Sequence, residues 1–208
     1  GSWLTSCCTR KKYSLRSYFS GEQGVMFHVQ PFVVLTMIDD FQLANFWQDC
    51  DYSKQEYVCE PLTRELILEI EYELGFKLPS SYITLMETQN GGGPRNTNAP
   101  SKTPTSWADD HVAITGIFGI SRKKKWSLCG SLGSRFMIHE WGYPDIGVYI
   151  CDCPSAGHDM VALDYRKCGT NGEPEVVHVD QEDDYKITFL ASNFEEFLIS
   201  LKHDDFYD

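Results

Sequence analysis

The residues best equipped for chemistry cluster in the second half of the chain, where Cys151, Cys153, His158, Cys168 and His178 follow one another. Sulfur and imidazole donors of this kind hold zinc tetrahedrally. The spacing argues against it. One residue separates Cys151 from Cys153, which puts both on the same face of a strand, whereas structural zinc sites commonly place two to four residues between their cysteines. Without a metal, strand cysteines are small buried hydrophobes, and neither a metal nor any other cofactor is expected. The same stretch holds the parts of a thiol nucleophile: Cys153 or Cys168, with His158 as base and Asp159 or Asp164 to orient it. Such a thiol needs its pKa lowered, and no helix start falls beside either cysteine to do so. With eight cysteines and six histidines in the chain, trios of this kind arise by chance. The expectation is a protein without catalytic residues.

Two Gly-x-x-Gly runs, at Gly116 to Gly119 and Gly130 to Gly133, lack the Lys-Ser/Thr pair of a phosphate-binding loop and are not expected to feed a helix start. Arg122, Lys123, Lys124 and Lys125, followed by Trp126, form the one local basic patch, and a solvated hairpin tip explains it. The loops Trp141-Gly142-Tyr143-Pro144-Asp145 and Pro154-Ser155-Ala156-Gly157-His158-Asp159 differ in kind. Each combines Gly and Pro with aromatic or ionisable side chains, the make-up of loops that present functional groups from a rigid sheet. Turn geometry accounts for the same residues, with Asp145 and Asp159 capping backbone N–H groups and Asp159 orienting His158.

Elements that could position these groups are legible around them. Thr63 caps a helix with Leu66, Ile67, Ile70 and Leu74 on one face, Leu62 and Ile67 form a hydrophobic staple, and Gly75 ends it. Leu78-Pro79-Ser80 starts a second helix, stopped by Asn90-Gly91-Gly92-Gly93. Residues 40–48, with Phe41, Ala44 and Trp47, add a possible third. Residues 94–106 read as a polar surface loop. Short apolar runs then alternate with turns: 112–114, 117–120, 135–138, 147–151, 160–165, 176–179 and 187–190. Their spacing leaves no room for crossover helices, so the sheet should be chiefly antiparallel. Ser192 and Glu195 suggest a capping box for a closing helix in which Phe194, Phe197, Leu198 and Leu201 share a face.

Composition limits the partners. The net charge is -12 over 208 residues, divided as +3 on residues 1–36 and -15 on the remainder. That balance repels nucleic acid and anionic membranes, and no stretch approaches the roughly 20 apolar residues of a membrane span. Gly1-Ser2 resembles a cloning scar and residues 14–24 lack periodicity, so residues 1–36 are expected to be a disordered extension and residues 37–208 the domain, with Met37 as a native start. The apolar run 32–38 is interrupted by Pro31 and followed by Asp39-Asp40, unlike a secretory signal. Eight cysteines fall short of a disulfide scaffold, which points to reduced thiols in the cytoplasm.

Glu71-x-x-Leu74-Gly75-x-x-Leu78-Pro79-x-x-Tyr82 followed by Asn90-Gly91-Gly92 resembles the N-terminal signature of the SMI1/KNR4 family, part of the SUKH superfamily. Trp141-Gly142-Tyr143-Pro144, residues 154–166, Gly172-Glu173-Pro174, residues 177–181 and Phe194-Glu195-Glu196-Phe197 are similar to its later landmarks, over residues 38–202 in all. The resemblance implies an α+β fold, a chiefly antiparallel but mixed sheet flanked by N-terminal helices and one C-terminal helix. It also implies binding to a protein instead of catalysis: bacterial members are immunity proteins against polymorphic or contact-dependent toxins, and fungal ones regulate cell-wall β-1,3-glucan synthesis through protein contacts. A Cys/His-dependent hydrolase is the remaining alternative. Many delivered toxins are nucleases with basic clefts, which a -15 domain would attract. Trp107, Trp141 and Tyr143 are then the aromatic anchors, Asp145, Asp159 and Asp164 with neighbouring His158 the polar contacts, and Asp109-Asp110 a further acidic pair.

Overall fold

The computed structural model describes Leu43 and residues 45–207; the extension expected over residues 1–36 and residues 40–42 and 44 of the helix expected over residues 40–48 lie outside them. Within the described part of that helix, Trp47 instead forms a β-bridge with Pro94.

Helix α1 (Asp51–Glu56) has no apolar periodicity, and side chains at its start hold it in place. Cys50 caps it, Sγ accepting from the Ser53 N–H, while buried Ser53 accepts from the Gly93 N–H at 2.7 Å. α2 (Arg64–Leu74) matches the sequence reading: Thr63 Oγ1 accepts from the Leu66 N–H at 3.2 Å, and Gly75 ends the helix at φ 82°. α3 (Ser80–Thr88) follows Pro79.

The turn between these helices is tied by a side chain. Glu71 is buried, one carboxylate oxygen accepting from the Leu78 N–H at 2.9 Å and the other from Lys77 Nζ at 2.5 Å. From α3, Tyr82 donates its buried hydroxyl to the Phe118 carbonyl. Asn90 is a complete bracket: Nδ2 donates to the Glu60 and Ile120 carbonyls and Oδ1 accepts from the Ile120 N–H at 2.7 Å. Gly91 and Gly92 follow at φ 90° and 152°, where any side chain is strained, and a Cβ on Gly91 would come within 2.7 Å of backbone atoms of Gly119 and Tyr57.

The loop expected over residues 94–106 contains a strand, β1 (Asn98–Pro100), antiparallel to β2 (His111–Ala113). Nothing local in Asn98-Ala99-Pro100 signals it, because the pairing partner is more than ten residues away. β3 (Gly116–Ile117) is shorter than the expected 117–120, since the Ile120 N–H leaves the sheet for Asn90. The strand expected over 135–138 is instead α4 (Ser134–Trp141), ended by Gly142 at φ 75°. There follow β4 (Gly147–Asp152), β5 (Asp159–Asp164), β6 (Glu175–Asp180) and β7 (Lys186–Ala191).

Strands β3 to β7 form one five-stranded sheet in sequential order with every neighbouring pair antiparallel. A register shift between Tyr149 and Cys151 bends β4. Every residue of β4 and β5 is buried, so both faces of the sheet centre are covered. The closing helix α5 (Phe194–Ser200) starts one residue later than expected: Asn193 Oδ1 accepts from the Glu196 N–H at 2.8 Å, and Glu196 reaches back to the Ser192 N–H. Its Phe194 packs on Tyr82 with ring centroids 4.7 Å apart, and burying each such ring stabilises the fold by roughly 1.5–3 kcal/mol.

Candidate functional site

The two Gly/Pro loops meet. α4 delivers Trp141, Gly142 reverses the chain, and the Tyr143 hydroxyl donates to the Gly157 carbonyl at 2.6 Å. Gly157 stands at φ 96°, and a Cβ there would come within 2.8 Å of the Trp141 ring. The Trp141 and His158 rings approach edge to face at 6.1 Å. Loop 154–158 is thus held down by the turn after α4. Tyr143 is only 2% exposed, which corrects its expected place as a contact residue; Trp141 is half-buried and Asp145 and His158 are exposed.

Asp159 and Asp164 also require correction. Both are 3% exposed and occupied internally. They open and close β5, about 17 Å apart at strand rise. Asp164 receives a two-pronged contact from Arg166, with Nη2 to Oδ2 at 2.6 Å; burial pushes its carboxyl up, but the Arg166 hydrogen bonds outweigh it and the pKa is lowered. Asp159 orients His178, not His158, Oδ2 lying 2.7 Å from Nε2. Burial raises this carboxyl too, and hydrogen bonds from His178 and Ser155 bring it below the ordinary range. His158 instead pairs with Glu182 at 2.6 Å on the exposed surface.

Of the metal and thiol candidates, Cys153 and His178 come together with Asp159, one donor atom of each lying within 4.8 Å of the others, while Cys151, His158 and Cys168 stay outside this group. All three residues are buried. A cross-strand relation invisible in single-sequence spacing makes the cluster: Val161 faces His178 and Asp159 faces Asp180 in the β5–β6 register. Burial drives the thiols away from thiolate, raising Cys151 and Cys153 well above the ordinary value, Cys59 to about 11 and Cys129 to about 12.

Two of the four side chains of the basic run are paired with carboxylates in place. Arg122 pairs with Glu69 and Glu73 at 3.0 and 2.9 Å, Lys123 with Glu60, and Lys124 donates to the Gln55 carbonyl.

Trp107 lies elsewhere, 43% exposed, on an open groove of about 470 Å³ shared with His111, Pro154, Asp204 and Tyr207. The C-terminal turn builds one wall. Asp204 accepts from Thr97 Oγ1 at 2.5 Å and Asn98 Nδ2 at 2.7 Å, which hold its carboxyl below the ordinary range. The Tyr207 ring stacks on His111 at 3.9 Å, and His111 Nδ1 lies 2.8 Å from Asp110. Phe206, next to Tyr207, is 65% exposed. Asp109, Asp110, Asp204 and Asp205 are all exposed here. Sequence reasoning found Trp107 and Asp109-Asp110 but missed the C-terminal turn, because residues 203–207 carry no pattern and join the site only through the distant residues Thr97, Asn98 and His111.

A five-stranded antiparallel meander, preceded by a glycine-ended helix pair and closed by a C-terminal helix, makes this an α+β domain. The chain belongs to the SMI1/KNR4 family: the SUKH_6 family model, described as SMI1-KNR4 cell-wall, matches residues 64–198. No curated protein matches it. Among the described residues no helix is long and apolar enough to cross a membrane.

Proposed function

We propose that this domain is a non-catalytic, cytoplasmic protein-binding module, an immunity protein that neutralises a polymorphic or contact-dependent toxin by covering a basic surface, such as a nuclease cleft. The observation that carries this reading is the groove beside Trp107. There exposed Trp107 shares the lining with His111, Asp204 and Tyr207, and the exposed residues Asp109, Asp110, Asp205 and Phe206 adjoin these in sequence, in a chain of net charge -12. Aromatic residues supply the buried part of a binding hot spot, and the carboxylates speed encounter with a basic partner. Raised thiol pKa values and the exposed pairing of His158 with Glu182 favour binding over thiol catalysis.

The family description favours a second reading, a regulator of cell-wall synthesis that uses the same groove on a host protein. Calorimetric titration of the purified domain with the toxin encoded beside its gene tests the first reading. Micromolar or tighter binding that Trp107→Ala weakens supports it. No binding, with retained affinity for a component of the glucan synthase machinery, would transfer support to the second.

A further inference from the structure

We propose that Cys153, Asp159 and His178 hold a buried divalent transition metal ion, zinc by the chemistry of the donors, that locks the β4–β5 loop to β6. The inference is independent of the partner-binding groove.

A thiolate, a carboxylate and an imidazole are zinc's own ligand types. Their donor atoms already converge within 4.8 Å, and tetrahedral zinc needs ligand separations of roughly 3.3–3.8 Å, so the longest separation closes by about 1 Å while His178 Nε2 and Asp159 Oδ2, now 2.7 Å apart, open by about 0.6 Å, completing three corners and leaving one for water. Cys153 follows the end of β4, Asp159 opens β5 and His178 lies in β6, so the donors come from three successive segments held by the sheet. Charge is balanced: thiolate and carboxylate neutralise a dication, which suits surroundings where the three residues are 2%, 3% and 0% exposed.

A second observation points to a ligand. Asp159 Oδ1 and His178 Nδ1 are buried without hydrogen-bond partners, two of the five such side-chain atoms among the described residues. Asp159 Oδ1 is the atom whose spare valence an ion would take up; His178 turns Nε2, not the unpartnered Nδ1, towards Asp159, so the ring binds the ion through Nε2. On binding, the Cys153 S–H bond breaks, its proton leaves to solvent and a sulfur–metal bond forms. The hydrogen bond between His178 and Asp159 gives way to a bond from each residue to the ion. Because no donor faces solvent, the ion enters while the chain folds.

The full chain is unfolded with chelator and refolded with Co²⁺, with Zn²⁺ or with chelator alone. One Co²⁺ per chain with tetrahedral visible bands and a thiolate charge-transfer band is expected, together with a higher melting temperature in Zn²⁺ than in chelator. Cys153→Ser should abolish the charge-transfer band, His178→Gln should weaken retention about 10-fold or more, and Cys168→Ser should change neither. Should Cys153→Ser fail to refold, the wild-type spectrum decides. A folded wild-type chain with no thiolate band, or a band that survives in folded Cys153→Ser, overturns the proposal and leaves the trio a hydrogen-bonded core cluster.

Discussion

Tyr57 and Asp152, separated by 95 positions in sequence, meet in the core, where the tyrosine hydroxyl donates to Asp152 Oδ2 at 2.8 Å. The bond fastens the segment after α1 to the end of β4. Burial raises the Asp152 carboxyl from 3.8 to about 7, and the Tyr57 hydrogen bond opposes that rise. A carboxyl raised on folding binds its proton more tightly in the native state. Its stabilising contribution is therefore complete below about pH 4 and lost as pH climbs to about 7. Urea denaturation at pH 5 and pH 8 should show the wild type losing stability relative to Asp152→Asn, on the order of a few kcal/mol. Tyr57→Phe removes the opposing hydrogen bond, so its loss should extend to higher pH. A wild type and Asp152→Asn pair with parallel pH profiles would show that Asp152 stays ionised throughout.

The Asn90-Gly91 pair is predicted to be structural. Asn90→Ala strands the Ile120 N–H and removes both carbonyl contacts, costing about 2–5 kcal/mol. Gly91→Ala places a methyl within 2.7 Å of two backbone segments at φ 90° and should cost at least about 2 kcal/mol. Thermal melts of both variants provide the check. A loss under about 1 kcal/mol in either would mean the local backbone relaxes freely.

These residues also mark how far the sequence could be read. Glu71 to Tyr82 and Asn90 to Gly92 were legible as a helix, turn, helix and stop, because caps and glycines act locally. That Glu71 ties the turn and Asn90 brackets Ile120 was not, since both contacts depend on where distant carbonyls and amides come to lie. α4 was misread for a related reason: Phe136, Met137 and Ile138 are a run too short for periodicity to separate strand from helix, although Gly142 carried the stop signal. β1 and the C-terminal turn had no local signal at all. The candidate groove was accordingly half visible, through Trp107 and Asp109-Asp110, and its wall of Asp204 and Tyr207 appeared only with the fold.

Tyr143 separates an anchoring role from a contact role. Tyr143→Phe keeps the ring between Tyr149 and Tyr185 but removes the donor to the Gly157 carbonyl. Stability should fall by about 1–2 kcal/mol, while affinity for a protein partner changes less than twofold. A large loss of affinity with unchanged melting would place Tyr143 back at the interface.

The groove makes the last prediction. Trp107 and Phe206 expose apolar area whose truncation removes contact without unpacking the core, so Trp107→Ala should cost about 2 kcal/mol of binding, near 30-fold in Kd, with the melting temperature unchanged. Asp109 and Asp205 act differently. They are exposed rim charges, so Asp109→Lys with Asp205→Lys should slow association at low salt and leave dissociation nearly constant. The difference from wild type should shrink as salt screens charges beyond roughly 8 Å. Surface plasmon resonance at low and high salt resolves the two contributions. Charge reversal that left the association rate untouched at low salt would show that the partner docks elsewhere on the molecule, even if Trp107→Ala proved harmful.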